Sequence, residues 1–182
     1  MIIAISGPTG SGKDTAANFI EKEFGFQHIS GGNILRDMLE KIGFEPKKEA
    51  VGDLGNLLRK NYGNDAIFKL VLEKAKTGSI VNSGFRSPAE GALIKNAGGF
   101  IIYIDAFESE RHARVLKRSR DNENADEVQA IEKKETYSEN KLNESLVDVR
   151  DMADVIISND GSISDFCEKI RREVTLLIEK IS

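Results

Sequence analysis

Three short apolar runs at residues 2–6, 79–83 and 100–105, and a fourth at 155–159, punctuate the chain. Each is continuous rather than alternating, as expected of strands whose two faces are both covered by helices in a parallel sheet. A weaker fifth candidate occupies residues 27–30. Between these runs apolar residues recur at helical spacing, as at Val51, Leu54, Leu57 and Leu58, and later at Phe166, Ile170, Val174, Leu177 and Ile181. Strand and helix alternate, which predicts right-handed crossovers and an α/β domain of three layers, a five-stranded parallel sheet flanked by helices.

Capping chemistry fixes where two of the strands must already have ended. Ser87, Pro88 and Glu90 supply an N-cap, a proline at the first helical position and an acid at the third, and Ser162 with Asp165 repeats the logic. In an open parallel sheet the ligand crevice lies beyond the carboxyl ends of the strands. Gly84, Phe85 and Arg86, and later Asn159, Asp160 and Gly161, therefore fall on the functional edge.

The length of 182 residues suits one domain with a substantial core, and 40% hydrophobic with 31% charged residues excludes a disordered or collagen-like chain. A net charge of −4 gives no reason to expect nucleic acid or an anionic membrane as partner, so any anion site must be local. With Cys167 as the only cysteine no intrachain disulfide forms, and a reduced cytoplasm is expected. The apolar start has no basic leader and gives way to glycines too soon for a signal peptide or a membrane span.

The motif with the most chemistry is GPTGSGKDT at residues 7–15, placed after the first strand and before a helical pattern. Gly7, Gly10 and Gly12 let the backbone, with Pro8, Thr9 and Ser11, wrap an anion, while the following helix presents free amides to it. Lys13 adds a mobile positive charge for the β and γ phosphates of ATP. Asp14 stands where a hydroxyl residue is usual, and Thr15 supplies the hydroxyl one place later. A carboxylate there suits Mg²⁺ held through water, although an acid in a first helical turn is also favoured by the helix dipole alone.

On these residues the chain resembles the P-loop nucleoside monophosphate kinase superfamily, whose adenylate-kinase-like members follow the lysine with one residue and then threonine. The Gly-Lys-Asp-Thr variant is similar to phage deoxynucleoside monophosphate kinases, and the whole chain resembles a group of short archaeal adenylate-kinase-like proteins. The likeness extends over HISGGNILR (28–36), NSGFRSPAE (82–90), the basic stretch 111–120 and ADVIISNDGS (153–162). It implies a P-loop NTPase fold, ATP with Mg²⁺, and a small phosphorylated acceptor. By resemblance, Arg36 and Arg86, with Gly84 and more weakly Arg150, hold the acceptor. Arg36 has the alternative of a solvated pairing with Asp37 or Glu40. Ser83 replaces the family's aspartate at the end of the third strand.

Arg111, Arg114 and Arg118 recur at i, i+3 and i+7, an arrangement able to turn one basic face toward the phosphates; a face balanced by the acids after residue 120 is the alternative. Arg118 and Arg120 match the start of the family's lid arginines and are assigned, with Lys13 and Arg86, to the transferring group. Residues 119–151 are polar, with Val128, Ile131, Leu142, Leu146 and Val149 too sparse for a core, and read as a helical lid. An acceptor-binding helical segment is expected at about 31–76. Asn159 and Gly161 match the loop that relatives pack against adenine, although a plain turn explains them equally well. His28 and His112 belong to no Cys/His cluster and are read as surface or edge residues, and no Ser/His/Asp arrangement is evident.

Together these features predict one phosphotransferase domain over residues 1–182, moving the γ-phosphoryl of ATP to a nucleoside or deoxynucleoside monophosphate. The alternatives are a dephospho-coenzyme A kinase or a regulatory ATPase without acceptor chemistry.

Overall fold

The five apolar runs become strands β1 (Ile2–Ser6), β2 (Gln27–Ser30), β3 (Ile80–Ser83), β4 (Phe100–Asp105) and β5 (Val155–Ser158) of the computed structural model, which describes residues 1–76, 78–118 and 145–181, the side chain of residue 118 excepted. All neighbouring strands pair in parallel, in the order β2-β3-β1-β4-β5. The chain reverses direction across the sheet at β1, so the loop after β1 opens between β3 and β4, the switch point at which such sheets bind ligands.

Eight helices stand among the described residues: α1 (Lys13–Phe24), α2 (Gly31–Lys41), α3 (Lys48–Tyr62), α4 (Ala66–Lys74), α5 (Pro88–Asn96), α6 (Glu108–Arg118), α7 (Leu146–Asp151) and α8 (Ile163–Glu179). The two-residue period of the strands divides the core into two layers. Ile3, Ile5, Ile102 and Ile104 pack under Ala17 and Ile20 of α1 and Phe166, Ile170 and Val174 of α8. Ala4, Ile101 and Tyr103 face Ile34 of α2, Phe68 and Val71 of α4, Ile94 of α5 and Val149 of α7.

The capping expectations hold in detail. Ser87 accepts from the amide of Ala89, and Glu90 reaches back to the amides of Arg86 and Ser87 at 3.1 and 3.0 Å. Ser162 accepts from the amide of Asp165. One reading is corrected: Leu146 and Val149 are not part of a set too sparse for a core, since both are buried. The amide of Ser145 donates to the carbonyl of Arg86, so α7 is tied to the loop after β3. Arg120, the side chain of Arg118, and Val128, Ile131 and Leu142 in the proposed lid lie outside the described residues.

Phe68 is 1% exposed at the centre of the second layer. Replacing it with alanine removes a ring that its neighbours cannot close over, so Phe68→Ala is expected to cost about 3–5 kcal/mol, measurable by urea unfolding.

Candidate phosphate-binding site

The loop at residues 7–12 takes its shape from three glycines with positive φ, 141° at Gly7, 79° at Gly10 and 104° at Gly12. Each is also closed to a side chain by a different neighbour. A β-carbon at Gly7 would lie 2.2 Å from the Ile104 carbonyl oxygen of β4, at Gly10 2.5 Å from the Arg111 carbonyl oxygen of α6, and at Gly12 2.4 Å from Asn159 Nδ2. Gly12 caps α1 without any side-chain hydrogen bond, which leaves the first amides of the helix for an anion. Lys13 Nζ spans the loop to donate to the Pro8 carbonyl at 2.8 Å.

The loop is gripped from outside by residues that the sequence reading assigned elsewhere. Asn159, expected beside adenine, is 8% exposed, and its Nδ2 donates to the Ser11 carbonyl at 2.7 Å. Its own amide donates to the Asp105 carbonyl at 2.8 Å, and its carbonyl accepts from Arg114 Nη2 at 2.8 Å. Arg111 donates to the carbonyls of Ala106 and Thr9, at 3.1 and 3.3 Å. The expectation that Arg111 and Arg114 turn toward the phosphates is therefore corrected: both orient loop carbonyls. Carbonyls held outward leave the amides of the same peptides facing inward. Gly161 is exposed at the end of this loop, next to Asp160, which accepts from the Phe107 amide at 2.7 Å. The Ser158 hydroxyl, with that amide, holds the Asp160 carboxyl below its usual range.

On the β3 side, the Gly84 amide donates to the Ile5 carbonyl at 2.9 Å, with φ of 89°, and Ser6 Oγ donates to the Phe85 carbonyl at 2.7 Å. These bonds fasten Gly84 and Arg86 beside the phosphate loop. Arg36 is on α2 with its Nη1 donating to the Pro46 carbonyl at 2.6 Å. Arg150, placed with the acceptor by the sequence reading, lies on the β4 side. Its Nη2 is 3.6 Å from Asp105 Oδ2, and its guanidinium is 6.0 Å from the centre of the Tyr103 ring. Burial, then Asp105, pushes the Tyr103 hydroxyl up to about 12.

Asp14 is exposed at the mouth of the loop, and its Oδ1 accepts from Ser83 Oγ at 3.1 Å. Ser83 in turn lies 2.9 Å from His28 Nε2. The sequence reading set His28 aside because it belongs to no cluster along the chain; the parallel register of β2 and β3 creates the cluster. The carboxylate of Asp14 and the hydroxyl of Thr15 are oxygen donors of the kind Mg²⁺ takes. Among the described residues no group of three or more His, Cys, Asp or Glu side chains is arranged to hold a metal by itself. Such an ion would be shared with nucleotide phosphates and water. Arg59, also passed over, is 6% exposed in α3, with room made by Gly55 four residues earlier: a β-carbon there would lie 3.5 Å from Arg59 Nη1.

The AAA domain family model matches residues 6–132. A UPF0200 protein of Aeropyrum pernix is 31% identical, covering 98% of this chain and 94% of its own length. Cytidylate kinase of Sulfurisphaera tokodaii is also 31% identical, over 93% of this chain and 92% of its own. In fold, the crystal structure of shikimate kinase from Bacteroides thetaiotaomicron superposes with a TM-score of 0.62 at 16% identity, covering 97% of this chain and 98% of that one.

Two predictions follow from the site's packing and titration. Gly7→Ala, blocked by backbone rather than by a movable side chain, is expected to abolish ADP binding in a calorimetric titration and to lower the melting temperature. Burial holds the His28 imidazole below its ordinary value, against the opposing pull of Asp14 and Glu21. The unfolded ring therefore takes up a proton more readily than the folded one, and this contribution to stability is lost as pH falls through about 6.5 and below. Melting temperature should decline over that interval more steeply in the parent chain than in His28→Gln; parallel curves would contradict the assignment.

Proposed function

This chain belongs to the AAA domain family within the P-loop nucleoside monophosphate kinase-like superfamily, and from that premise we propose that it transfers the γ-phosphoryl of ATP to a nucleoside monophosphate. The observation that carries the reading is the glycine loop fixed on both sides, with Lys13 across it and Arg86 fastened to the adjoining strand end. Phosphoryl transfer needs little covalent help from a protein, and its demands are alignment of the reacting groups and charge stabilisation around them.

In this reading the loop amides and Lys13 hold the β and γ phosphates, and Arg86 and Arg36 hold the acceptor phosphate by forked hydrogen bonds. Arg118 and Arg120 stabilise charge on the transferring group. Asp14 and Thr15 hold Mg²⁺ through water, and the ion supplies charge neutralisation at the phosphates. The cytidylate kinase relative makes cytidine monophosphate the first acceptor to examine. An acceptor phosphate oxygen is already a nucleophile, so no general base is required of the protein.

The test is a coupled phosphotransfer assay with ATP and Mg²⁺ over ribo- and deoxyribonucleoside monophosphates, with dephospho-coenzyme A alongside. At least one monophosphate is expected to stimulate ADP formation strongly, and Lys13→Ala to lower turnover by roughly a hundredfold or more. Slow hydrolysis indifferent to every acceptor would replace this reading with that of a regulatory ATPase, and stimulation by dephospho-coenzyme A alone would move it to a hydroxyl acceptor.

A further inference from the structure

Side chains from α1, β2 and β3 meet at the open edge of the phosphate loop in a connected chain. His28 and Ser83 lie on the same face of the sheet, because His28 stands opposite Val81 and Ser30 opposite Ser83 in the β2–β3 register. That face is covered by α1. His28 Nε2 is 2.9 Å from Ser83 Oγ, and Ser83 Oγ donates to Asp14 Oδ1 at 3.1 Å. His28 Nδ1 is 3.0 Å from Asn18 Oδ1, one helical turn beyond Asp14. The His28 amide donates to Glu21 Oε1 at 3.1 Å, which anchors β2 to the same helix.

The protons available restrict how this chain is connected. A serine hydroxyl has one hydrogen, and here Asp14 receives it. Ser83 Oγ then accepts from His28, so the ring carries its proton on Nε2. In the neutral ring Nδ1 is then an acceptor, so this assignment requires the Asn18 amide to be turned end for end, with its NH₂ in place of the oxygen that faces the ring. With that amide turned, the bonds run in one direction, from Asn18 through His28 and Ser83 to the carboxylate.

We propose that His28 is a positioning residue. It holds the Ser83 hydroxyl as a committed donor to Asp14, and so fixes an otherwise exposed carboxylate in the orientation that holds the water shell of nucleotide-bound Mg²⁺. Without this chain Asp14 is a side chain on the helix surface with free rotation, and its oxygen lone pairs have no preferred direction toward the phosphates. Ser83 is 0% exposed, and its neutral hydroxyl lacks the charge a carboxylate would bring to the ion's shell. Its contribution is to pass the constraint from β2 to α1. The burial that disfavours a charged imidazole supports the neutral ring on which the direction of the bonds depends. The inference rests on the phosphotransferase reading, because it concerns the metal-bound nucleotide.

The test compares the parent chain with His28→Leu, His28→Gln and Ser83→Ala, each checked for fold by circular dichroism. ADP is titrated calorimetrically once with Mg²⁺ and once with the metal chelated. Partners outside the ligand set of a metal commonly cost ten- to a hundredfold in affinity when removed. MgADP binding is accordingly expected to weaken about tenfold or more in His28→Leu and Ser83→Ala, with metal-free ADP unchanged. His28→Gln, which keeps an N–H for Ser83, should recover most of the loss. Nitrogen NMR of the parent chain should show the His28 proton on Nε2. If the parent binds MgADP and Ser83→Ala binds it equally well, or loses metal-free ADP to the same degree, the positioning role is overturned while the phosphotransferase reading stands. A parent chain that binds no nucleotide in either titration overturns both.

Discussion

A loop of six residues can hold a polyanionic phosphate tail only if its peptides are turned with their amides inward, and nothing in a free loop keeps them so. Here the constraint is steric and comes from outside. β4, α6 and the loop after β5 approach Gly7, Gly10 and Gly12 so closely that no β-carbon fits at any of the three. Two of these elements, the loop after β5 and α6, also supply groups that bind loop carbonyls, through Asn159 to Ser11 and Arg111 to Thr9. The position of α6 and the β5 loop is thus a condition for the binding surface, even though neither provides an amide to it.

This arrangement explains how a chain with net charge −4 presents a site for polyanions. The positive potential comes from aligned peptide dipoles, the start of α1 and a few arginines, all of local reach. Two of those arginines serve geometry. Arg114 also engages Glu110 at 3.2 Å, but that pair is on the surface and contributes little to stability. Its bond to the Asn159 carbonyl matters more, because it ties the residue that supports Ser11. The Arg150–Asp105 pair is half exposed on both sides and falls under the same discount.

The strands and caps were legible because their signals are local. Predicted and observed strands agree to within one residue at each end, and Ser87 and Glu90 close the capping box that their spacing implied. Gly7, Gly10 and Gly12 were legible as a motif, though the backbone that each one admits was not. What could not be read is long-range: Asn159 and Ser11 are separated by 148 positions, and His28 and Ser83 by 55. No periodicity links such pairs. Leu146 and Val149 were misjudged for a related reason, since apolar residues in a polar stretch can still be buried when the surrounding core comes from other elements, as it does around Val149.

The order of strands also divides the labour of the site. On the β4–β5 side Arg111 and Asn159 act on the phosphate loop, and the loop after β3, the acceptor side in the proposed reading, is fixed to β1 by separate bonds, Gly84 to Ile5 and Ser6 to Phe85. The two halves therefore share β1 as a common reference, so a displacement of either one changes the distance between the donor and acceptor positions. In-line transfer is sensitive to that distance, because its rate depends on reactants held in near-contact. Ser6 thereby acquires a role beyond ending a strand. It is 0% exposed, and its hydroxyl joins the end of β1 to the loop after β3. An alanine there would leave the Phe85 carbonyl buried without that donor and loosen Arg86 relative to Lys13, a loss of alignment rather than of charge.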